Sequence, residues 1–328
     1  MPKSRLEGGA ALRRAVVVAL FLATIAGGIV LDNYWLRSLT EVFLIAAIAQ
    51  SINIIAGFTG YAAFGQVVFF GLGNYATAIA MTRLDMPFIA GALLGSVVCA
   101  GFALVCGWPL FRLKGHYFAI ATLGLNGAVQ AIVSNWASLT QGGAGISLPL
   151  PPGNVLGNAR LFYAAFLALM WASVVVVWLL NRTRFGFACR AIRADEEAAS
   201  AAGINPLLYK TSAWMVSAVL AGWVGSVYAY WQSYIEPSVA FDMDIAVRGF
   251  VILLLGGPGS VFGPVIAAFV FQLTSIVVWS YLLTFHLGLM GLLIMAAVLF
   301  LPEQSGWTNI RAALAARASA ALPAFARR

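Results

Sequence analysis

The chain has 328 residues, of which 62% are hydrophobic and only 9% charged, with a formal net charge of +8 and a mean hydropathy of +0.92. Ordinary soluble domains carry roughly 25% charged residues, so this composition excludes a water-soluble globular protein and describes one solvated by lipid. It also argues against nucleic-acid binding, because no soluble basic fold is there to present the positive charge.

A helix needs ~20 apolar residues to cross the ~30 Å hydrocarbon core, where unpaired backbone groups find no water. In chain order, apolar runs predict spans over 15–31, 41–57, 63–81, 88–111, 116–134, 161–180, 209–231, 245–256, 262–281 and 285–301. The expected fold is all-α, a polytopic membrane protein with about ten transmembrane helices, some broken or re-entrant. The run at 245–256 is the short one and fits a tilted, broken or re-entrant segment. The first run follows basic residues as a signal peptide does, but its length and the lack of an A-x-A site favour a retained span.

Lys and Arg set the orientation, since short cytoplasmic loops carry the excess. With Lys3, Arg5, Arg13 and Arg14 in the cytoplasm, counting spans puts the Arg112 to Lys114 link, the 181–209 loop and the 302–328 tail there too. Counted with Lys210 at the loop's edge, these segments hold 15 of the 19 basic residues. Both termini are therefore expected to be cytoplasmic, flanking a transmembrane domain over 15–301. The Ala- and Arg-rich tail fits an inner-leaflet contact or a solvated end. Cys99, Cys106 and Cys189 form no C-x-x-C pair, and His116 and His286 stand alone, so no metal site is expected.

Between 53 and 75 the glycines at 57, 60, 65, 71 and 73 are denser than a lipid-facing helix requires. This stretch, with Gly57, Gly60, Gln66, Phe69, Phe70, Gly71 and Tyr75, fits either a broken element lining a translocation path or close helix packing. The second Gly-rich break runs from Leu255 to Pro264, where Gly256, Gly257 and Gly259 with Pro258 and Pro264 predict a kinked turn. It fits a substrate-binding backbone or a tight cytoplasmic turn. Thr122 and Arg248 complete the candidate pathway; Arg248 is read as the one plain ionisable residue inside a span, snorkelling toward Asp242 and Asp244. An ion-coupled carrier generally needs more buried ionisable groups than that. An intramembrane serine hydrolase would need Ser260 beside His286, which the span count places at opposite faces.

The 181–209 loop carries Arg182, Arg184, Arg190 and Arg193 together with Asp195, Glu196 and Glu197. Asp195 is a good N-cap, Glu196 and Glu197 occupy the dipole-favoured first turn, Ala198 and Ala199 continue, and Gly203 suits the left-handed C′ position. Pro206 stops continuation. So short a helix is marginal alone in water and needs packing from elsewhere. No G-x-x-x-x-G-K-[ST] sequence occurs, so any ATP hydrolysis that drives the chain belongs to a separate subunit.

Glu197-Ala198-Ala199 followed by Gly203 resembles the EAA---G coupling motif of bacterial ABC importer permeases. Arg184-Phe185-Gly186, Arg190-Ala191-Ile192-Arg193, the 57–75 stretch, Arg112 to Leu123, and the 255–264 turn are similar, in order, to the branched-chain amino-acid permease family, and the ten-span plan resembles its LivM-type subunit. Gln66 and His116 stand where relatives often carry His and Pro, and Arg248 where many carry an acidic or neutral residue. The resemblance implies an inner-membrane permease that is not itself an enzyme and holds no cofactor, with ATP and Mg on two partner ATP-binding subunits. It further implies a second LivH-type permease and a periplasmic solute-binding protein. Branched-chain amino acids are the leading substrate, with urea, short amides or other small polar solutes as the alternative. The 135–160 segment fits either docking of the binding protein or a solvated connector.

Overall fold

A computed structural model describes residues 31–281, together with Thr24, Gly27, Gly28 and Gly291. The 1–14 segment, the predicted spans at 15–31 and 285–301, and the 302–328 tail lie outside the described residues apart from these few positions.

The described chain is all-α, with one minimal pair of strands. Helix α1, Asn33–Ile52, runs on through a π-helical turn at Asn53–Gly57. A 3-10 turn at Phe64–Gln66 leads into α2, Val67–Arg83, and then come α3, Phe88–Leu110, and α4, His116–Asn135. The short α5, Ala137–Thr140, and strand β1, Ile146–Ser147, precede α6, Val155–Arg182. Then follow α7, Arg184–Ala194, α8, Glu196–Ala201, and α9, Pro206–Gln232. Strand β2, Tyr234–Ile235, the short α10, Pro237–Ala240, α11, Met243–Gly256, and α12, Gly263–Tyr281, complete the order.

Among the described residues, six helices are long and apolar enough to cross a membrane: Asn33–Gly57, Phe64–Arg83, Phe88–Leu110, His116–Asn135, Val155–Arg182 and Pro206–Gln232. Helix α11, with 14 residues, rises only ~21 Å at ~1.5 Å per residue, in keeping with the short run read there. Helix α1 begins at Asn33, well before residue 41, because polar groups that depress hydropathy are accommodated locally. Thr40 Oγ1 donates to the Leu36 carbonyl at 2.7 Å, and the Arg37 guanidinium lies 5.8 Å from the Trp231 ring centroid.

Helix α9 packs most extensively against α2 and α3, and α1 against α6. Absent side chains permit the α2–α9 crossing: a Cβ on Gly73 would lie 2.2 Å from the Gly222 carbonyl oxygen, and one on Gly225 2.1 Å from that of Phe70. At the far end of the bundle from α8, β1 pairs antiparallel with β2 through Ile146 and Ile235. That pairing ties the 135–160 segment to the connection after α9. Asn126 of α4 also donates to the Phe241 carbonyl there, at 3.0 Å.

Two features depart from the sequence reading. The 181–209 loop holds α7 as well as the capped helix, since Thr183 accepts from the Gly186 amide and starts a second, amphipathic helix. Arg248 is also not alone among ionisable residues in the apolar helices: Glu41 lies within α1, where Gln272 donates to it at 3.3 Å, and Lys210 lies within α9 and is 1% exposed.

Candidate functional site

The 181–209 loop is built from local signals that the structure uses in full. Asp195, extended at φ −160°, closes α7 and opens α8, its Oδ1 accepting from the amides of Glu197 at 2.9 Å and Ala198 at 3.0 Å. At the other end Gly203 takes φ +86°. Its amide donates to the Ser200 carbonyl and that of Ile204 to Ala199, at 3.0 and 3.1 Å, the paired bonds of a Schellman cap. Pro206 both ends this unit and occupies the first turn of α9, for which Asn205 is the N-cap.

The packing that so short a helix requires comes from the chain itself. Ala199 is buried. Glu196 turns inward, where Lys210 Nζ donates to its Oε1 at 2.7 Å and the Tyr61 hydroxyl to its Oε2 at 2.6 Å. Burial alone pushes the Glu196 carboxyl up, but hydrogen bonds from Lys210 and Tyr61, with the Lys210 and Lys114 charges, hold it below the usual carboxylate range. Burial and then the bond to Glu196 push the Tyr61 hydroxyl well above the usual phenol range. Its neighbour Glu197 faces outward with a side chain 88% exposed; a 3.6 Å contact with exposed Lys114 contributes little there.

Arg193 makes a second attachment, donating to the Gly57 carbonyl at the end of the π-helical turn. Gly57 lies against the turn between α11 and α12, where Gly257 and Gly259 take φ +87° and +83°. That turn is clasped by side chains of α1 and the π-helical turn that follows it: Asn53 Oδ1 accepts from the Gly259 amide at 2.7 Å, Asn53 Nδ2 donates to the Ser260 carbonyl at 2.8 Å, and Gln50 Nε2 donates to that of Val261 at 2.6 Å. A Cβ on Gly57 would sit 2.0 Å from Asn53 Oδ1, so glycine is required for the clasp.

The candidate residues therefore separate into three places. Arg193, Asp195, Glu196, Glu197, Ala198, Ala199 and Gly203 lie together around α8, with Gly57, Gly60, Gly257 and Gly259 in its seat and Gly256 pressed against Gly263 beside it. Deeper in the bundle, Gln66 Nε2 donates to Ser217 Oγ at 2.7 Å, and Thr122 is buried with its carbonyl against Gly65. Phe69 packs on Trp214, Phe70 on Tyr228, and Gly71 and Tyr75 on Phe241. Arg248 stands apart, paired with Asp244 one turn earlier in α11 at 2.5 Å. Sequence reasoning misses Lys210, Tyr61, Asn53 and Gln50. Gln50 and Asn53, three apart in an apolar run, share a helix face, and that polar pair is a readable signal.

The model of the branched-chain amino acid transport system permease component matches residues 34–299, most of the chain and the whole of this seat. The chain belongs to that permease family. Family members are the permease components of transporters, so this permease is not a catalytic enzyme. It is 26% identical over 289 residues to the high-affinity branched-chain amino acid transport system permease protein LivM of Salmonella typhimurium, covering 80% of this chain and 68% of that one. The LivH permease of Escherichia coli is 25% identical over 276 residues, or 77% and 88% of the two chains. A probable LivM of Methanocaldococcus jannaschii is 24% identical over 284 residues, or 74% and 81%. No solved structure matches this permease.

Proposed function

We propose that this permease is the LivM-type subunit of an ATP-driven importer in the bacterial inner membrane. It pairs with a LivH-type permease, two ATP-binding subunits that carry the ATP and Mg, and a periplasmic solute-binding protein. The observation that carries the reading is the two-sided coupling helix: α8 is anchored from within by Glu196 and presents an exposed Glu197 outward. A helix capped at both ends and seated on one face suits the transfer of force from a partner subunit.

The ten-span plan with both termini cytoplasmic belongs to this reading. It is supported by the meeting of 57–61, Lys114, 193–197 and 257–260 at one end of the bundle, since span counting assigns all of these to the cytoplasmic side. At the opposite end the 135–160 segment, tied down through β1 and β2, receives the binding protein. The solute is a branched-chain amino acid, supported by the names of the LivM and LivH relatives.

The test is reconstitution of the complete complex in liposomes with the binding protein outside and ATP inside. Saturable uptake of leucine, isoleucine or valine that requires ATP is expected. Uptake by the chain alone on an ion gradient would overturn the importer reading, and uptake of urea or short amides in preference would overturn the substrate.

A further inference from the structure

Tyr61 stands where five parts of the chain meet. Its hydroxyl donates to Glu196 of α8 and accepts from Lys210 of α9 at 3.0 Å, and Lys210 also donates to Glu196, so three hydrogen bonds close a ring. The Tyr61 ring lies edge-on to Phe111, which caps α3, and to Phe118 in the first turn of α4, with centroids 5.8 and 5.2 Å apart. Phe111 and Phe118 stack at 5.0 Å and both meet Trp214 of α9. The Lys210 ammonium lies 4.2 Å from the Tyr61 ring centroid.

We propose that Tyr61 and Lys210 are positioning residues, an internal linkage that receives the displacement of α8 through Glu196 and delivers it to α3, α4 and α9. The proposal rests on the reading of this chain as an importer permease.

Three observations favour a linkage over simple packing. An ion pair whose cation is fully buried, as Lys210 is here, is a poor source of stability compared with apolar residues of the same volume, whereas it holds two groups at a fixed distance and direction. Glu196 and Glu197 are neighbours that face inward and outward, so a push on the outer face of α8 is a push on the Glu196 carboxylate. The bonds it makes hold only up to about 3.2 Å and weaken steeply once bent below ~120°, so Lys210 and Tyr61 must follow. Finally, the connection from Tyr61 to Gln66 is fastened to α9 twice, by Lys210 and again by the bond between Gln66 and Ser217. It therefore moves with α9 as one body, and the stacked Phe111 and Phe118 carry the motion to the adjoining ends of α3 and α4.

The linkage is tested in the complete reconstituted importer by the ratio of solute transported to ATP hydrolysed. Tyr61→Phe keeps every ring contact and removes the hydroxyl. Lys210→Met with Glu196→Gln keeps the volumes and leaves no buried charge unpaired. Each is expected to lower the ratio roughly tenfold, the factor that corresponds to one lost charge-assisted hydrogen bond, while subunit assembly is retained. Exchange of the partners, Lys210→Glu with Glu196→Lys, is expected to restore most of the ratio, which a purely structural role would not require. A normal ratio in both Tyr61→Phe and the neutral double variant would overturn the linkage alone. Absence of ATP-dependent uptake by the unaltered complex would overturn the importer reading and the linkage with it.

Discussion

Removing the N-cap of α8 by Asp195→Ala isolates how far this helix depends on its own local chemistry. One carboxylate oxygen accepts two amides, at 2.9 and 3.0 Å. Loss of such a cap costs about 1 kcal/mol, and at an RT of ~0.59 kcal/mol that multiplies the opened population of the helix roughly fivefold. With only 6 residues in α8, there is little propagation to absorb the loss, because nucleation dominates in so short a helix. Hydrogen exchange of the amides between Glu197 and Ala202 in the assembled transporter reads this directly: protection should fall by that factor, and, on the proposed function, transport per ATP should fall with it. Asp195→Asn retains an accepting oxygen and should hold most of the protection. Equal protection in the unaltered protein and in the Asp195→Asn and Asp195→Ala variants would refute the reasoning, since α8 would then be held by tertiary contacts alone.

Gly73→Val places a Cβ 2.2 Å from the Gly222 carbonyl oxygen; overpacking of this kind costs ~1–3 kcal/mol or more when backbone must move, and should appear as a lowered midpoint of thermal unfolding in detergent. The Glu196 carboxyl is depressed below its ordinary value of 4.5 by its partners, so its contribution is whole above that value and lost as pH falls through the depressed one. Exchange protection of α8, corrected for intrinsic rates, should thus be flat from neutral to mildly acid pH and drop below it, and Glu196→Gln should abolish the drop. The Cys189 thiol is fully buried and pushed up to about 12, burial outweighing the neighbouring Arg190 charge; it should resist maleimide at neutral pH in the folded permease and react after denaturation.

The legible parts of the site are those whose physics is local. Asp195, Gly203 and Pro206 announce the limits of α8 because a cap, a left-handed residue and a missing amide act on their immediate neighbours. Helix α7 is harder to read although Thr183 caps it, because the arginines around it serve equally well as marks of topology. Gln66, Phe69, Phe70 and Tyr75 group together by their place in one Gly-rich stretch, yet they face different neighbours on α1, on α9 and just after α10. Spacing along a chain says which residues share a helix face and nothing about what that face meets.

Hydropathy alone established that this is a helical membrane protein, since its apolar runs of about 20 residues suit helices and not the ~10-residue alternating strands of a membrane barrel. The same string of residues announced a short capped helix in need of support, and it contains no P-loop. What supports that helix was decided only in three dimensions. Tyr61 and Glu196 are 135 positions apart, Arg193 and Gly57 are 136, and Asn53 and Ser260 are 207. Which of two adjacent glutamates turns inward depends on where α9 carries Lys210 and where the α1–α2 connection carries Tyr61. Those positions follow from packing such as the glycine crossing of α2 and α9, and packing is a property of the whole bundle.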